Sequence, residues 1–234
     1  MIVKMKKKNI IVRGCDLSLN HGAIVELKNG KFNDFWFYTD KSCSAKTHEN
    51  GMHIKLSSNK QQPDKQLKSV FRLNLINDFL SKIICDRHSV DFYGIEDYAF
   101  SASQGAHQIG EVGGAVRIKL WIVRIPFRLH DPLSIKMFVT HDGTAKKDLV
   151  EECVKNRWGL DFSKYNGPNN KNRQTSEDLS DAFGIAKMVW TEYLLRTGKL
   201  ELSSLHEKEI QVFNRITKTY PVNILGREWI KNNG

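Results

Sequence analysis

Cysteine is scarce in this chain, and spacing pairs none of it. The four thiols, Cys15, Cys43, Cys85 and Cys153, are scattered and form no CxxC pair. That argues against the disulfide framework of small secreted domains and fits a reducing compartment. Cys43 lies near His48 and His53, but no fourth ligand stands at a finger-like spacing, so this stretch reads as a polar loop. Long apolar runs are also missing: nothing approaches the ~18 residues of a membrane span. The basic start, Met1 to Lys8, is followed only by Ile10, Ile11 and Val12 before Arg13 intervenes, too short for a signal-peptide core. The chain is expected to be soluble, to have no membrane partner, and to be cytoplasmic rather than secreted. There is no GxxxxGK[ST] loop and no second glycine-rich phosphate loop. An actin-like ATPase or sugar kinase, which also starts with a strand, an aspartate and a turn, would need such loops. No internal repeat is visible.

What the chain does have is positive charge. Lys and Arg number 36 against 26 Asp and Glu, a net charge of +10 with a pI near 9.4. Such an excess favours a polyanionic partner, nucleic acid foremost. Forty per cent apolar residues and ten per cent aromatic ones over 234 residues supply a real core, enough for one α/β domain with extensions.

Residues 9–17 read as a strand buried on both faces. His21-Gly22 makes a turn, residues 23–27 a second strand, Asn29-Gly30 a hairpin turn and residues 32–38 a third strand. Residues 40–64 form a long polar loop. Over residues 64–85, Leu67, Phe71, Leu75, Phe79 and Ile83 recur every four residues and predict an amphipathic helix. Residues 90–96 predict a fourth strand. Residues 103–121 predict a helix with Val112, Val116 and Leu120 on one face. Strands are expected over 122–129 and 135–139, around an Asp131-Pro132 turn. Thr144 is expected to cap a helix to residue 157, and Thr175 or Ser176 one reaching 195. Residues 205–217 have helical spacing. Three antiparallel strands followed by alternating strands and helices imply a mixed sheet with helices on both faces. The domain is assigned to residues 1–198, with 40–64 inserted in it and 199–234 as a C-terminal extension.

Four carboxylates stand out. Asp16 sits near the end of the first buried strand and Glu96 closes the fourth. An unpaired carboxylate in either place is costly to desolvate unless a cation offsets it. Asp178 and Asp181 lie three apart, on one face of the last long helix. Helix-dipole preference accounts for an acid at Asp178 but less well for one at Asp181. Two strand-end acids and two helix acids converging at one sheet edge would repel unless neutralised. An oxygen-only set suits Mg2+, with Mn2+ able to substitute. Two such ions about 3.5–4 Å apart can activate water for phosphodiester hydrolysis.

Gly14-Cys15-Asp16-Leu17-Ser18-Leu19 resembles the opening motif of RuvC-type Holliday junction resolvases. Gly94-Ile95-Glu96-Asp97-Tyr98 is similar to their second motif, and Asp178-Leu179-Ser180-Asp181-Ala182 to their last. Residues 143–150 resemble the segment carrying the family's active-site lysine, here Lys147. The pieces occur in the family's order over residues 9–196. Leu17 departs from the family's usual proline, and Tyr98 and Phe100 bracket, without matching, the position of an aromatic that acts on unstacked bases. The length resembles that of the phage members, whose cellular setting is bacterial or an infected host cell.

The resemblance implies an α/β, RNase H-like fold with a mixed five-stranded sheet. It implies a crossover junction endodeoxyribonuclease that nicks branched DNA, resolves four-way junctions and works as a homodimer. Asp16, Glu96, Asp178 and Asp181 would bind two Mg2+ ions, with Lys147 on the scissile phosphate, leaving 5′-phosphate and 3′-hydroxyl ends. Tyr98, Phe100, Lys119, Arg124, Lys146, Lys171 and Arg173 are the candidate DNA-binding residues, and Arg128, Lys155, Arg157 and Lys164 are further candidates for phosphate contact. The alternatives are another RNase H-like nuclease, cutting RNA in RNA–DNA hybrids, and a non-catalytic protein that binds branched DNA.

Overall fold

A computed structural model describes residues 9–40, 49–54, 65–84, 90–97, 106–166 and 173–219. Its strands are β1 (Ile11–Leu17), β2 (His21–Lys28), β3 (Lys31–Thr39), β4 (Gly51–His53), β5 (Phe92–Glu96) and β6 (Phe127–His130). Its helices are α1 (Lys65–Ile84), α2 (Ala106–Ile122), α3 (Pro132–Thr140), α4 (Lys147–Trp158), α5 (Gln174–Arg196) and α6 (Glu207–Thr219). The six strands form one sheet in the order β4-β3-β2-β1-β5-β6. The first three are antiparallel, as expected, and β5 and β6 add in parallel beside β1. The sheet is one strand wider than the five expected, because β4 forms inside the 40–64 insertion and pairs parallel to the edge of β3. The class is the α/β, RNase H-like one.

Helices cover both faces. On one side α5 lies across the sheet with α3, α4 and α6 packed around it, and on the other α1 and α2 close a second core. The two-residue period of β1 divides its side chains between them. Val12 belongs to the α5 side, while Cys15 and Leu17 belong to the α1–α2 side. Asp16 shares parity with Val12 and so points towards α5.

Two glycines set how close α5 comes. A Cβ on Gly14 would stand 2.1 Å from the Ala182 carbonyl oxygen and 2.3 Å from the Ala186 nitrogen. One on Gly94 would meet Ile185 and Val189 side chains at 2.6 Å. Gly14, facing Ala182 and Ala186, brings β1 and α5 backbone to backbone, and Gly94 leaves room on β5 for the Ile185 and Val189 side chains. The last residues of β1 and β5 therefore lie beside the first turns of α5.

The segment 135–139 is a helix, not a strand. Asp131 accepts a hydrogen bond from the Ser134 N–H at 3.0 Å, and Pro132 occupies the first turn. Asp-Pro here is a helix start, because proline lacks the N–H that the first turn leaves unbonded. Residues 122–126 likewise end α2 and lead into β6, which begins only at Phe127. Thr144 does not cap α4: Lys146 stands at that position without a side-chain bond, and Thr144 instead donates to Asp142 Oδ1 within a tight turn. In α1 the buried stripe is Ile76, Leu80, Ile83 and Ile84, with Phe71 40% exposed. A strict four-residue repeat drifts around a helix of 3.6 residues per turn, so Phe71 leaves the core while Ile83 stays in it.

Arg13, which interrupts the first apolar run, is buried rather than outside the strand. Its guanidinium pairs with Glu26 at 2.7 Å, donates to the Ile83 carbonyl at the end of α1 and to the Tyr93 hydroxyl, and lies over the Trp36 ring.

Candidate active site

The carboxyl ends of β1 and β5 and the start of α5 converge, and with them the four acids. The charges of Glu96 and Asp178 both act on Asp16, and those of Asp16 and Asp178 act on Asp181. Burial pushes the Asp16 carboxyl well above the usual carboxylate range, and the neighbouring charges push it the same way. Asp16 and Glu96 are close enough to act on each other directly as a carboxyl pair. Burial also raises Glu96, an effect that the pairing with Asp16 and the charge of Lys147 oppose. Asp181 is likewise pushed well up, by burial first and then by Asp16, with Lys147 opposing. Three of these acids are thus in surroundings that favour a bound positive charge, whether proton or cation.

Asp178 is the best-bonded of the four. Gln174, one turn earlier on α5, donates to its Oδ1 at 2.8 Å. His21, at the start of β2, meets its Oδ2 through Nδ1, also at 2.8 Å. Burial alone would lower the His21 pKa, but the bond and the charge of Asp178, with Asp16 behind it, raise it instead. Sequence reasoning reads His21 as a turn residue and misses this role. The available signal is its pairing position, since a histidine opening β2 across the β1 turn lies beside the end of β1. Tyr38 is the second omission. Its hydroxyl donates to the Ser18 carbonyl at 2.6 Å, and burial, then the charges of Asp16 and Asp178, push its pKa far up.

Lys147 begins α4, half-exposed, with its ammonium 3.1 Å from Glu177. Burial works to lower its pKa, but Asp178 and Glu177 outweigh that and raise it. It is a cation held at the rim of the acid cluster. Lys146, exposed, is its neighbour. Arg173 stands just before α5, paired with Glu151 at 2.6 Å.

The remaining basic candidates are scattered. Lys119 and Arg124 lie at the end of α2 and just past it, where the chain leads into β6 and the Pro126 carbonyl accepts from the Tyr93 N–H at the start of β5. That is the end of the sheet away from the acids, because α2 runs back along β5. Arg128 is wholly buried, forked onto Glu192 at 2.6 and 2.9 Å. Its parity on β6 turns it to α5, so it is a core residue and not a phosphate contact. Lys155 pairs with Asp161 and Arg157 with Glu209, while Lys164 lies over the Tyr165 ring. Tyr98, Phe100 and Lys171 lie outside the described residues, as do Cys43 and His48.

The donor set fits hard divalent cations. It consists of carboxylate oxygens, mostly buried, on rigid strand ends and a long helix. Among the described residues, no three acidic, histidine or thiol side chains already converge on one point as ligands. Asp16 is turned to Glu96, and Asp178 to Gln174 and His21. Asp16, Glu96 and Asp181, whose carboxyls burial pushes up, are the groups whose charge a bound cation would offset.

The family model described as crossover junction endodeoxyribonuclease RuvC matches residues 52–187, more than half of the chain and a span that includes Glu96, Lys147, Asp178 and Asp181. Among solved structures the chain is similar to T. thermophilus RuvC in complex with a Holliday junction substrate, at 17% identity and a TM-score of 0.50, covering 78% of this chain and 94% of that one. A second Thermus thermophilus RuvC structure gives 18% identity and a TM-score of 0.50, with 81% and 97% covered. No curated protein matches the chain.

Proposed function

The chain belongs to the RuvC family of crossover junction endodeoxyribonucleases, and from that we propose that it nicks four-way DNA junctions by two-metal phosphodiester hydrolysis at the Asp16, Glu96, Asp178 and Asp181 cluster. One observation carries the reading: acids from β1, β5 and α5 act on one another's charge at one end of the sheet, with Lys147 beside them. Bound Mg2+, or Mn2+ in its place, would supply a water of lowered pKa and positive charge for the phosphate.

The chain's own residues do the rest. The four carboxylates hold the ions. His21 and Gln174 fix the orientation of Asp178, as a partner behind a metal ligand does. Lys147, at the first turn of α4, offers its ammonium to the phosphate, where the N-terminal end of a helix also favours an anion. Lys146 and Arg173, just before Lys147 and α5, would contact the DNA backbone and position it rather than read its sequence.

A junction carries two strands to be cut symmetrically, so the working unit is a homodimer. Supporting this, Ile118, Trp121 and Ile122 form an exposed apolar stripe on α2, 62%, 79% and 70% accessible. It lies on the sheet face away from α5.

The test is cleavage of a synthetic four-way junction with and without Mg2+. Wild type should nick only with the metal, and Asp16→Asn should bind the junction but not cut it. A purified Asp16→Asn that cuts as fast as wild type would remove Asp16 from the site. Preferential cutting of RNA–DNA hybrids would replace the substrate.

A further inference from the structure

Helix α6 lies beyond the residues that the family model matches, and it grips both ends of α3. At the start of α3, Arg215 reaches the capping Asp131 at 3.4 Å. Midway, Phe213 meets Phe138 edge to face, with centroids 6.0 Å apart. Val212, Phe213 and Ile216 are buried in the α5-side core. At the end of α3, His141 closes the helix in the left-handed region, φ 62°, and its ring stacks on His206 with centroids 3.7 Å apart and planes 7° from parallel. Glu209 is buried beneath. It accepts from Arg157 at 2.5 Å and stands 3.5 Å from His141 Nε2. The same guanidinium donates to the carbonyls of Phe138 and Val139. One carboxylate and one arginine therefore tie together α6, the end of α3 and the end of α4.

The residues just after His141 give this clamp its meaning. Residues 142–146 fold into a tight turn held by Asp142, Thr144 and Ala145, and the next residue is Lys147. The lysine-bearing turn is thus anchored by His141 on one side and by the Lys147–Glu177 pair on the other. We infer that α6 is a positioning element of the active site: through His206 and Glu209 it fixes the 141–147 turn, and so the place of the Lys147 ammonium over the acid cluster. The inference rests on the proposed role of Lys147 in cleavage. Neither His206 nor Glu209 touches the reacting atoms.

The experiment uses the full chain with His206→Asn and Glu209→Gln combined. Asparagine can still cap α6, as the His206 ring now does through the Lys208 N–H, but cannot stack. Glutamine keeps the shape of Glu209 without its charge. The first readout is hydrogen exchange without DNA or metal, in which amides of 141–147 should exchange faster while those of β1 stay protected. The second is single-turnover cleavage of a four-way junction with Mg2+. The double variant should cut about ten- to a hundredfold more slowly, as expected for a misplaced group, with metal-free junction binding unchanged. In a Lys147→Ala background the same pair should cost nothing further, because coupled groups are not additive. Equal losses in both backgrounds would overturn the inference, as would unchanged exchange, or a Lys147→Ala chain as fast as wild type. A wild-type chain that fails to cut junctions would sink the functional reading instead. The exchange result would still decide whether α6 holds the turn.

Discussion

Asp16 works against stability in the metal-free protein. Its carboxyl is pushed far above the ordinary range by burial and by Glu96 and Asp178, and Asp181 is raised likewise. A raised carboxyl binds more protons in the folded chain than in the unfolded one. Its contribution is therefore fully present below the ordinary carboxylate pKa, about 4, and is lost as pH rises through the raised value. Asp16→Asn removes the acid while keeping its size. Metal-free at pH 7–8, it should melt higher than wild type by on the order of 1 kcal/mol, about 2–4 °C for a chain of this length. Mg2+ should raise the wild-type midpoint and move the variant's less. A calorimetric scan in which the variant melts lower, or gains as much from Mg2+, would contradict the placement of Asp16 in the cluster. Motif order and spacing are enough to pick out the four acids in the sequence. His21 is not visible in that way: its pairing position puts it beside the end of β1, but its bond to Asp178 spans 157 residues and depends on how α5 packs on the sheet, which no local pattern encodes. His130 is hidden similarly. It pairs in register with Glu96, and burial, then Arg128, takes its pKa down to about 3. Neither of its ring nitrogens has a partner among the described residues.

Contact between elements is fixed by very few atoms, and Gly14 shows where. Its absent side chain leaves the space in which the backbone of α5 passes β1. Gly14→Ala forces a methyl against the Ala182 carbonyl and the Ala186 amide, neither of which can swing aside. Overpacking of this kind costs about 1–3 kcal/mol and more when backbone must move, so denaturant titration should find a loss at or above the upper end. Gly159→Ala at the end of α4 tests the contrast: a methyl there meets nothing within 4 Å, and only its left-handed φ of 71° is strained. It should lose about 1 kcal/mol. Element types are readable where the period is long and its residues unambiguous, as in β1 to β3 and α5. They are misread at α3, where Ile135, Phe138 and Val139 resemble a short strand until Asp131-Pro132 is recognised as a cap followed by a first-turn proline. Arg13 is legible as an interruption but not as a buried ion pair, because its partner Glu26 lies on the neighbouring strand.

Among the described residues, the most exposed large apolar side chains lie in the layer opposite the acids. The acids lie between the sheet and α5, whereas the exposed stripe of Ile118, Trp121 and Ile122 belongs to α2, in the opposite layer, with Val70 and Phe71 of α1 also exposed. Residues at i, i+3 and i+4 share a helix face, so the three α2 side chains form one continuous apolar strip, which a soluble chain keeps in water only at a cost. A second copy of the chain would cover it with the same strip, as a two-fold interface requires. It would also leave both acid clusters free for the two strands of a junction. A central tryptophan is the side chain on which such interfaces most depend, at about 2–4 kcal/mol. Trp121→Glu should therefore shift the chain from dimer to monomer in sedimentation equilibrium at micromolar concentration. Its melting temperature at high dilution, where wild type is also monomeric, should be unchanged, since the residue is not part of either core. Paired nicking of one junction should become uncoupled in the same variant while single nicks persist. A wild-type chain that sediments as a monomer at those concentrations, or a variant that remains dimeric, would place the partner contact elsewhere.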